Sequence, residues 1–468
     1  MKRVPVLLAF LLAFLLALSS GAMAQEWIRD SLYSPILKET RPIEIALPKA
    51  YRQDTARYDV WYVLDGEWNA YTFSMIHNYL RAISFMPPII IVSVPNRYLD
   101  GYNLRDRDLT PKPTPEIAYS GGAQNFLGFL NRELLPHINR QYRTSGYNGL
   151  CGSSFGGMFA LYALLKTPDT FKYYVIADAA LHYANGYFPG FAAQVLPGTK
   201  FRNRVLHMGG RNGYSYHYMR RDAMDSTLRS LHPEGLRWDS ELYEDETHSS
   251  TTFKGNYDGL KFAYLGYYTR NVSFHLTGGI VVPGKPIKLL LETDHSDIRY
   301  TTDGSIPNAQ STRVDRALIV DKTDGLRVKS FSTSGLYDRE IPVHVTTGDF
   351  LRPKEPNRKQ DASGKITAAE WTADGKIAGV LPITADGYYV FQLTPSPGTR
   401  LWLDDRLWIS YNTATGHARQ TVMLPLRKGN YYLRVEHSKT RDTPSLDFGV
   451  YYSIDGQDDW WKNVIVRK

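Results

Sequence analysis

The chain has 468 residues, 43% hydrophobic and 22% charged. This suits an ordinary globular protein of two to four domains and excludes a disordered or fibrous chain. Net charge is +8, but no run of five or more Lys/Arg occurs, so the basic balance does not point to nucleic acid.

The first 24 residues read as an export signal. Lys2 and Arg3 form a positive start, Leu7 to Leu18 a short apolar run, and Ala22-Met23-Ala24 a small-x-small cleavage site before Gln25. The run is short for a membrane span, and no later stretch is long and apolar enough to cross as a helix. The expectation is a protein exported to a periplasm or the exterior. The single cysteine, Cys151, allows no intramolecular disulfide and reads as a small buried apolar residue.

Residues 25–270 alternate strand and helix patterns. Pro42 to Leu47 is a first strand. Asp59 to Leu64 and Ile89 to Val94 are near-continuous apolar strands, as in a sheet covered on both faces. Phe126 to Ile138 has helical spacing. Tyr173 to Ala177 and Arg204 to Met208 are further strands, a helix is expected over Tyr218 to Leu231, and Trp238, Ser240 and Leu242 alternate toward a last strand. This rhythm argues for a mostly parallel sheet with helices on both faces.

Within it stands Gly152-Ser153-Ser154-Phe155-Gly156, a G-x-S-x-G motif between a short strand ending at Cys151 and a helix from Met158 to Leu165. Such a strand–turn–helix junction lifts a serine oxygen clear of the backbone. Ser154 is therefore the candidate nucleophile. A serine hydroxyl needs a base to remove its proton. His248 fits, because it follows the last strand, where open α/β sheets place their chemistry, and because the order Ser then His is that of α/β-hydrolases. An orienting third residue is harder to find. The loop Gly209-Gly210-Arg211-Asn212-Gly213 carries no carboxylate, and Asp222 and Asp225 fall in a helical pattern that reads as solvent-facing. Asn212, a backbone carbonyl and Asp178 remain open for the role. The backbone N–H groups of Phe155 and Gly66 are the candidate oxyanion hole. Arg105 and Arg107 lie in a segment read as a loop near the site, either to hold an anionic substrate group or to pair internally with aspartates.

Several ordered motifs carry a resemblance: Tyr62-Val63-Leu64-Asp65-Gly66-Glu67, Val94-Pro95-Asn96, Arg105 to Pro111, Ser120-Gly121-Gly122-Ala123, Tyr142-Arg143-Thr144, Gly152 to Gly157 and the segment around His248. Residues 33–270 resemble the Putative esterase (esterase D-like) family of α/β-hydrolases. Its members include siderophore (enterobactin-type) esterases, S-formylglutathione hydrolases, and feruloyl and acetylxylan esterases. The resemblance implies catalytic roles for Ser154 and His248 and a reaction without metal or organic cofactor. The family often has a carboxylate where Asn212 lies.

After Arg270 short alternating strands take over. Residues 271–347 contain Ile298 to Pro307 and resemble the small β-sandwich at the carboxyl end of chitobiase. Residues 348–362 read as a linker. Residues 363–468 resemble a PA14-like β-sandwich, a module often tied to carbohydrate binding. There Asp404-Asp405 invites calcium but falls short of the six or more oxygens that ion takes, and Trp402, Trp408, Trp460 and Trp461 are candidates to stack on sugars. The whole reads as an α/β-hydrolase domain followed by two all-β modules. It would be a serine esterase acting on a glycan-linked acetyl or feruloyl ester, the alternative being a small-molecule siderophore (enterobactin-type) ester, with polysaccharide binding by the last module an open role. The competing class is a non-catalytic glycan-binding protein, motivated by the missing carboxylate.

Overall fold

The computed structural model describes residues 27–267, 273–292, 297–354, 376–395, 397–412, 419–436, 448–453 and 462–467. The signal segment, Trp460 and Trp461 therefore lie outside the described residues. The chain forms two compact units that divide near residue 268, with Thr333–Leu336 belonging to the first.

The first unit is built on one eight-stranded sheet. Its strands are β1 (Trp27–Ser34), β2 (Glu39–Ala46), β3 (Tyr58–Leu64), β4 (Ile90–Val94), β7 (Thr144–Ser153), β8 (Tyr173–Ala177), β9 (Arg204–Arg211) and β10 (Leu236–Tyr243). A two-stranded ribbon of β5 (Tyr98–Leu99) and β6 (Tyr102–Asn103) stands apart. The order across the sheet is β1-β2-β4-β3-β7-β8-β9-β10. The β1–β2 and β2–β4 pairs are antiparallel and the rest are parallel. Every residue of β3 and β4 is buried, which is why these strands read as continuous apolar runs rather than as alternation.

The helices are α1 (Gly66–Ala82), α2 (Arg105–Leu109), α3 (Ala123–Phe129), α4 (Leu135–Gln141), α5 (Phe155–Lys166), α6 (Tyr183–Val195), α7 (Tyr214–Tyr218), α8 (Arg221–Leu231) and α9 (Ser250–Ala263). A π-helical turn, Leu130–Leu134, joins α3 to α4. Gly156 to Leu165 of α5 are all buried, so the helix behind Ser154 is a rigid part of the core and not a surface element. Two sequence expectations change here. Arg105–Leu109 is a short helix rather than a loop, and the helix expected over Tyr218 to Leu231 is divided by Arg220, which sits at φ +60°.

In the second unit the two expected modules share a sheet, and of the expected linker only residues 348–354 are among the described residues. Gly278–Val281, from the part expected to form the first sandwich, pairs in parallel with Gln420–Leu426 from the second. A six-stranded sheet thus joins Val345–Thr347, Gly278–Val281, Gln420–Leu426, Gly387–Leu393, Phe448–Ser453 and Lys462–Arg467. One apolar cluster likewise takes Ile287, Leu289 and Val328 together with Tyr388, Val390 and Met423. Residues 348–354 do not behave as a free linker: the Leu351 amide donates to Pro425 at 2.8 Å and its carbonyl accepts from Arg427 at 2.9 Å. An edge strand offers unpaired backbone groups to any segment that reaches it, and sequence alternation does not say which segment that is.

Candidate active site

Ser154 sits between the last residue of β7 and the first of α5 with φ 57° and ψ −119°. That is a strained conformation for a non-glycine residue, of a kind that survives only where surroundings enforce it. The enforcement is visible. The Ser154 amide donates to Ala177 at 3.0 Å, and its carbonyl accepts from Met158 and Ala180, each at 3.0 Å. A Cβ on Gly152 would lie 2.3 Å from the Gly156 carbonyl oxygen, so the turn closes only with glycine there.

Beneath the turn, Asp65 stands at φ 51° before α1. Its carboxylate accepts from Arg105 Nε at 2.6 Å and Nη2 at 2.9 Å, and from Asn96 at 2.9 Å. Arg105 Nη2 also donates to the Ser153 carbonyl at 3.3 Å. A fork-on-carboxylate pair of this kind fixes direction as well as distance. Arg105 thus braces the nucleophile turn. Arg107 is likewise engaged internally, on Glu39 at 2.6 Å and Asp108 at 2.8 Å. Neither guanidinium is a free substrate clamp.

Asp178, at φ 42°, follows β8 and is fully buried. His248 follows β10, with its side chain 43% exposed and therefore open to substrate. His248 Nδ1 lies 2.7 Å from Asp178 Oδ2. Arg211, at the end of β9, donates through Nε to the same oxygen at 2.6 Å. Burial alone would raise the Asp178 carboxyl, but the hydrogen bonds from His248 and Arg211 outweigh it and hold the group below the ordinary aspartate value. An ionised carboxylate only accepts hydrogen bonds, so Nδ1 carries the hydrogen, and Nε2 of the neutral ring is left with the lone pair that can take a serine proton.

Of the open candidates for the orienter, Asp178 is the one in contact with the imidazole. The Asn212 amide nitrogen reaches Glu244 at 3.5 Å and not the imidazole. Asp178 reaches the imidazole from the end of β8, the strand beside β9, which leads to Asn212. Asp225 is not solvent-facing as expected. The i, i+3, i+4, i+7 positions Arg221, Met224, Asp225 and Leu228 form the buried face of α8, and Asp225 accepts from Tyr216 at 2.9 Å and Ser240 at 2.8 Å. Asp222 is half-buried and pairs with His217 at 2.8 Å. Phe155 and Gly66 are the first residues of α5 and α1, where N–H groups have no acceptor within their own helix. Because β3 pairs with β7, those two helix starts stand on adjacent strand ends. Cys151 is buried with Sγ 3.0 Å from Asn256 Oδ1, and burial pushes its thiol up. Arg211 and His182, which the sequence reading did not single out, stand beside this site. Arg211 is the last residue of β9, just before Asn212.

In the second unit, Asp404 accepts from the Tyr432 amide at 2.9 Å and Lys354 Nζ reaches Asp405 at 3.0 Å, so the pair is engaged by donors. Arginines cover one face of each described tryptophan, Arg434 over Trp402 at 4.1 Å and Arg406 over Trp408 at 4.0 Å. Among the described residues no helix is long and apolar enough to cross a membrane.

A mostly parallel sheet with a strained serine, a histidine and a buried carboxylate at the ends of β7, β10 and β8 is the arrangement of the α/β-hydrolase fold. Comparison with known proteins agrees. Residues 34–186, about a third of the chain, match the family described as Putative esterase. Two curated relatives are the ferri-bacillibactin esterase BesA of Bacillus subtilis, 36% identical over 89 residues (19% of this chain, 31% of BesA), and the siderophore enterobactin esterase of Emericella nidulans, 35% identical over 78 residues (16% and 26%). The chain spans less than a third of the length of either. An IroE-like serine hydrolase from Shewanella oneidensis is 33% identical, with 50% of this chain and 79% of that one covered and a TM-score of 0.46. Over residues 34–186 the hydrolase unit is thus similar to the Putative esterase family.

Proposed function

We propose that the protein is an exported serine esterase. Ser154 attacks a carboxylic ester carbonyl while His248 Nε2 takes its proton. His248 then protonates the leaving alcohol and afterwards activates the water that releases the acid. Asp178 holds the imidazole and stabilises its charged form, with Arg211 holding Asp178 in turn. The Phe155 and Gly66 amides receive the oxyanion. The observation that carries this reading is the Nδ1–Oδ2 contact of 2.7 Å between His248 and Asp178 at the same sheet edge as the strained Ser154. No metal or organic cofactor enters these steps.

Two substrate readings follow from different observations. The names of the relatives favour a siderophore ester of the enterobactin type. The second unit's resemblance to glycan-associated modules favours an acetyl or feruloyl ester on a polysaccharide. Rates on acetylated xylan, a feruloylated oligosaccharide and a cyclic catecholate ester separate them, and inertness on every polysaccharide ester sinks the glycan version. The non-catalytic alternative rested on a missing carboxylate, and Asp178 removes that motive. Wild-type protein that is folded yet inert on all of these esters would revive it. Localisation is tested by the N-terminal sequence of the mature protein, with Gln25 expected first.

A further inference from the structure

The segment that leaves β8 wraps the nucleophile turn. Ala180 donates to the Ser154 carbonyl at 3.0 Å, and the Tyr183 ring meets Phe155 edge-on at 5.4 Å. Between them stands His182. Burial, and then the neighbouring charge of His248, lowers its pKa. Its Nδ1 is buried without a hydrogen-bond partner among the described residues, so no bond at that nitrogen explains where the ring sits. The ring instead packs on Tyr218 at 4.7 Å, and Tyr218 stacks on Tyr214 at 5.8 Å and 20°.

The two tyrosines are four residues apart on α7, which starts three residues after Arg211. No residue of α7 is buried. Tyr218 is 52% exposed and Tyr214 80%. Core packing therefore does not account for this run of rings. It is an aromatic shelf that begins on the segment between Asp178 and Tyr183, bonded to the Ser154 turn, and leads outward.

We propose that His182, Tyr218 and Tyr214 form a subsite for an aromatic ring of the ester substrate, so that the enzyme selects aryl-bearing esters over simple acetyl esters. A flat ring gains offset or edge-to-face contact with the shelf, whereas an acetyl group has no π-face to offer. This rests on the serine-esterase reading and narrows it, because hydroxycinnamoyl and catecholate esters both carry such a ring and acetylated glycans do not.

The test compares kcat/KM for methyl hydroxycinnamate and phenyl acetate, each divided by that for methyl acetate, in wild type, Tyr218→Ala, Tyr218→Phe and Tyr214→Ala. In Tyr218→Ala at least one ratio is expected to fall roughly 3- to 10-fold, mostly through KM. Tyr218→Phe, which keeps the ring, should restore it, and Tyr214→Ala should give a smaller fall in the same ratio. Ratios unchanged in both alanine variants, or Tyr218→Phe no better than Tyr218→Ala, overturn the shelf. Ser154→Ala run alongside separates the two claims. If it keeps hydrolysing all three esters, the underlying mechanism fails; if it is inert while the ratios stay fixed, only the shelf fails.

Discussion

Both units hold aspartates in a left-handed conformation, and they are used differently. In the hydrolase unit Asp178 (φ 42°) follows a strand of a parallel sheet, with Ser154 (φ 57°) after the neighbouring strand and Asp65 (φ 51°) after the next. In the second unit Asp404 (φ 52°) turns the chain between the antiparallel strands Thr399–Leu403 and Arg406–Tyr411, and its carboxylate binds backbone amides. Backbone strain alone therefore does not mark a reactive site. Parallel strands all end on one edge, so strained residues after successive strands converge there. Antiparallel hairpins send successive ends to opposite edges, and the strained aspartate there ties its turn to the Tyr432 amide on an adjacent strand.

The largest expected effect tests the convergence itself. Ser154→Ala and His248→Ala should each lower hydrolysis of a p-nitrophenyl ester on the order of 10⁴-fold or more, with the thermal unfolding profile unchanged. Retained turnover in either variant would put the chemistry elsewhere. Next comes the choice of orienter. Asp178→Asn should cost on the order of 10³- to 10⁴-fold in kcat, whereas Asn212→Ala should stay within about threefold of wild type. Equal losses would return Asn212 to the site.

A third prediction sets one buried histidine from each unit against the other. Burial lowers His77 and His275 to about 4. Each ring is then neutral in the folded protein at pH values where the unfolded chain already binds a proton. The stability each contributes is present above pH ~6.5 and is lost as pH falls toward about 4. For His77, which is fully buried, the loss amounts to about 3 kcal/mol; the half-buried His275 should lose less. Calorimetry from pH 7 to 4 should show the hydrolase unit's transition falling further, and His77→Gln should flatten that fall. Equal acid sensitivity in the two transitions would count against the assignment. The smallest effect belongs to the exposed Lys354–Asp405 pair, whose side chains are 68% and 75% exposed. Asp405→Ala should change unfolding by less than ~0.5 kcal/mol, and calcium should not shift it.

Local pattern carried the nucleophile turn, because a G-x-S-x-G junction is a steric requirement spanning five residues. It also carried the parallel sheet, because buried strands need unbroken apolar runs such as Asp59 to Leu64. The order of Ser154 and His248 along the chain pointed to the same edge. The third partner was legible only as one of several open candidates, Asp178 among them. Asp178 and His248 are 70 residues apart and meet only because β8, β9 and β10 lie side by side in that order. The burial of Asp225 depended on which face of α8 met the sheet, and the merging of the two β modules on which strand reached the open edge beside Gln420–Leu426. The aromatic shelf was hidden for the same reason, since His182 and Tyr218 touch only once their separate loops reach the edge that holds Ser154. Periodicity and turn chemistry are properties of neighbours along the chain, and the sequence alone determines them. Which distant carboxylate, ring or strand completes a site is decided by strand order and edge pairing, which exist only in the folded molecule.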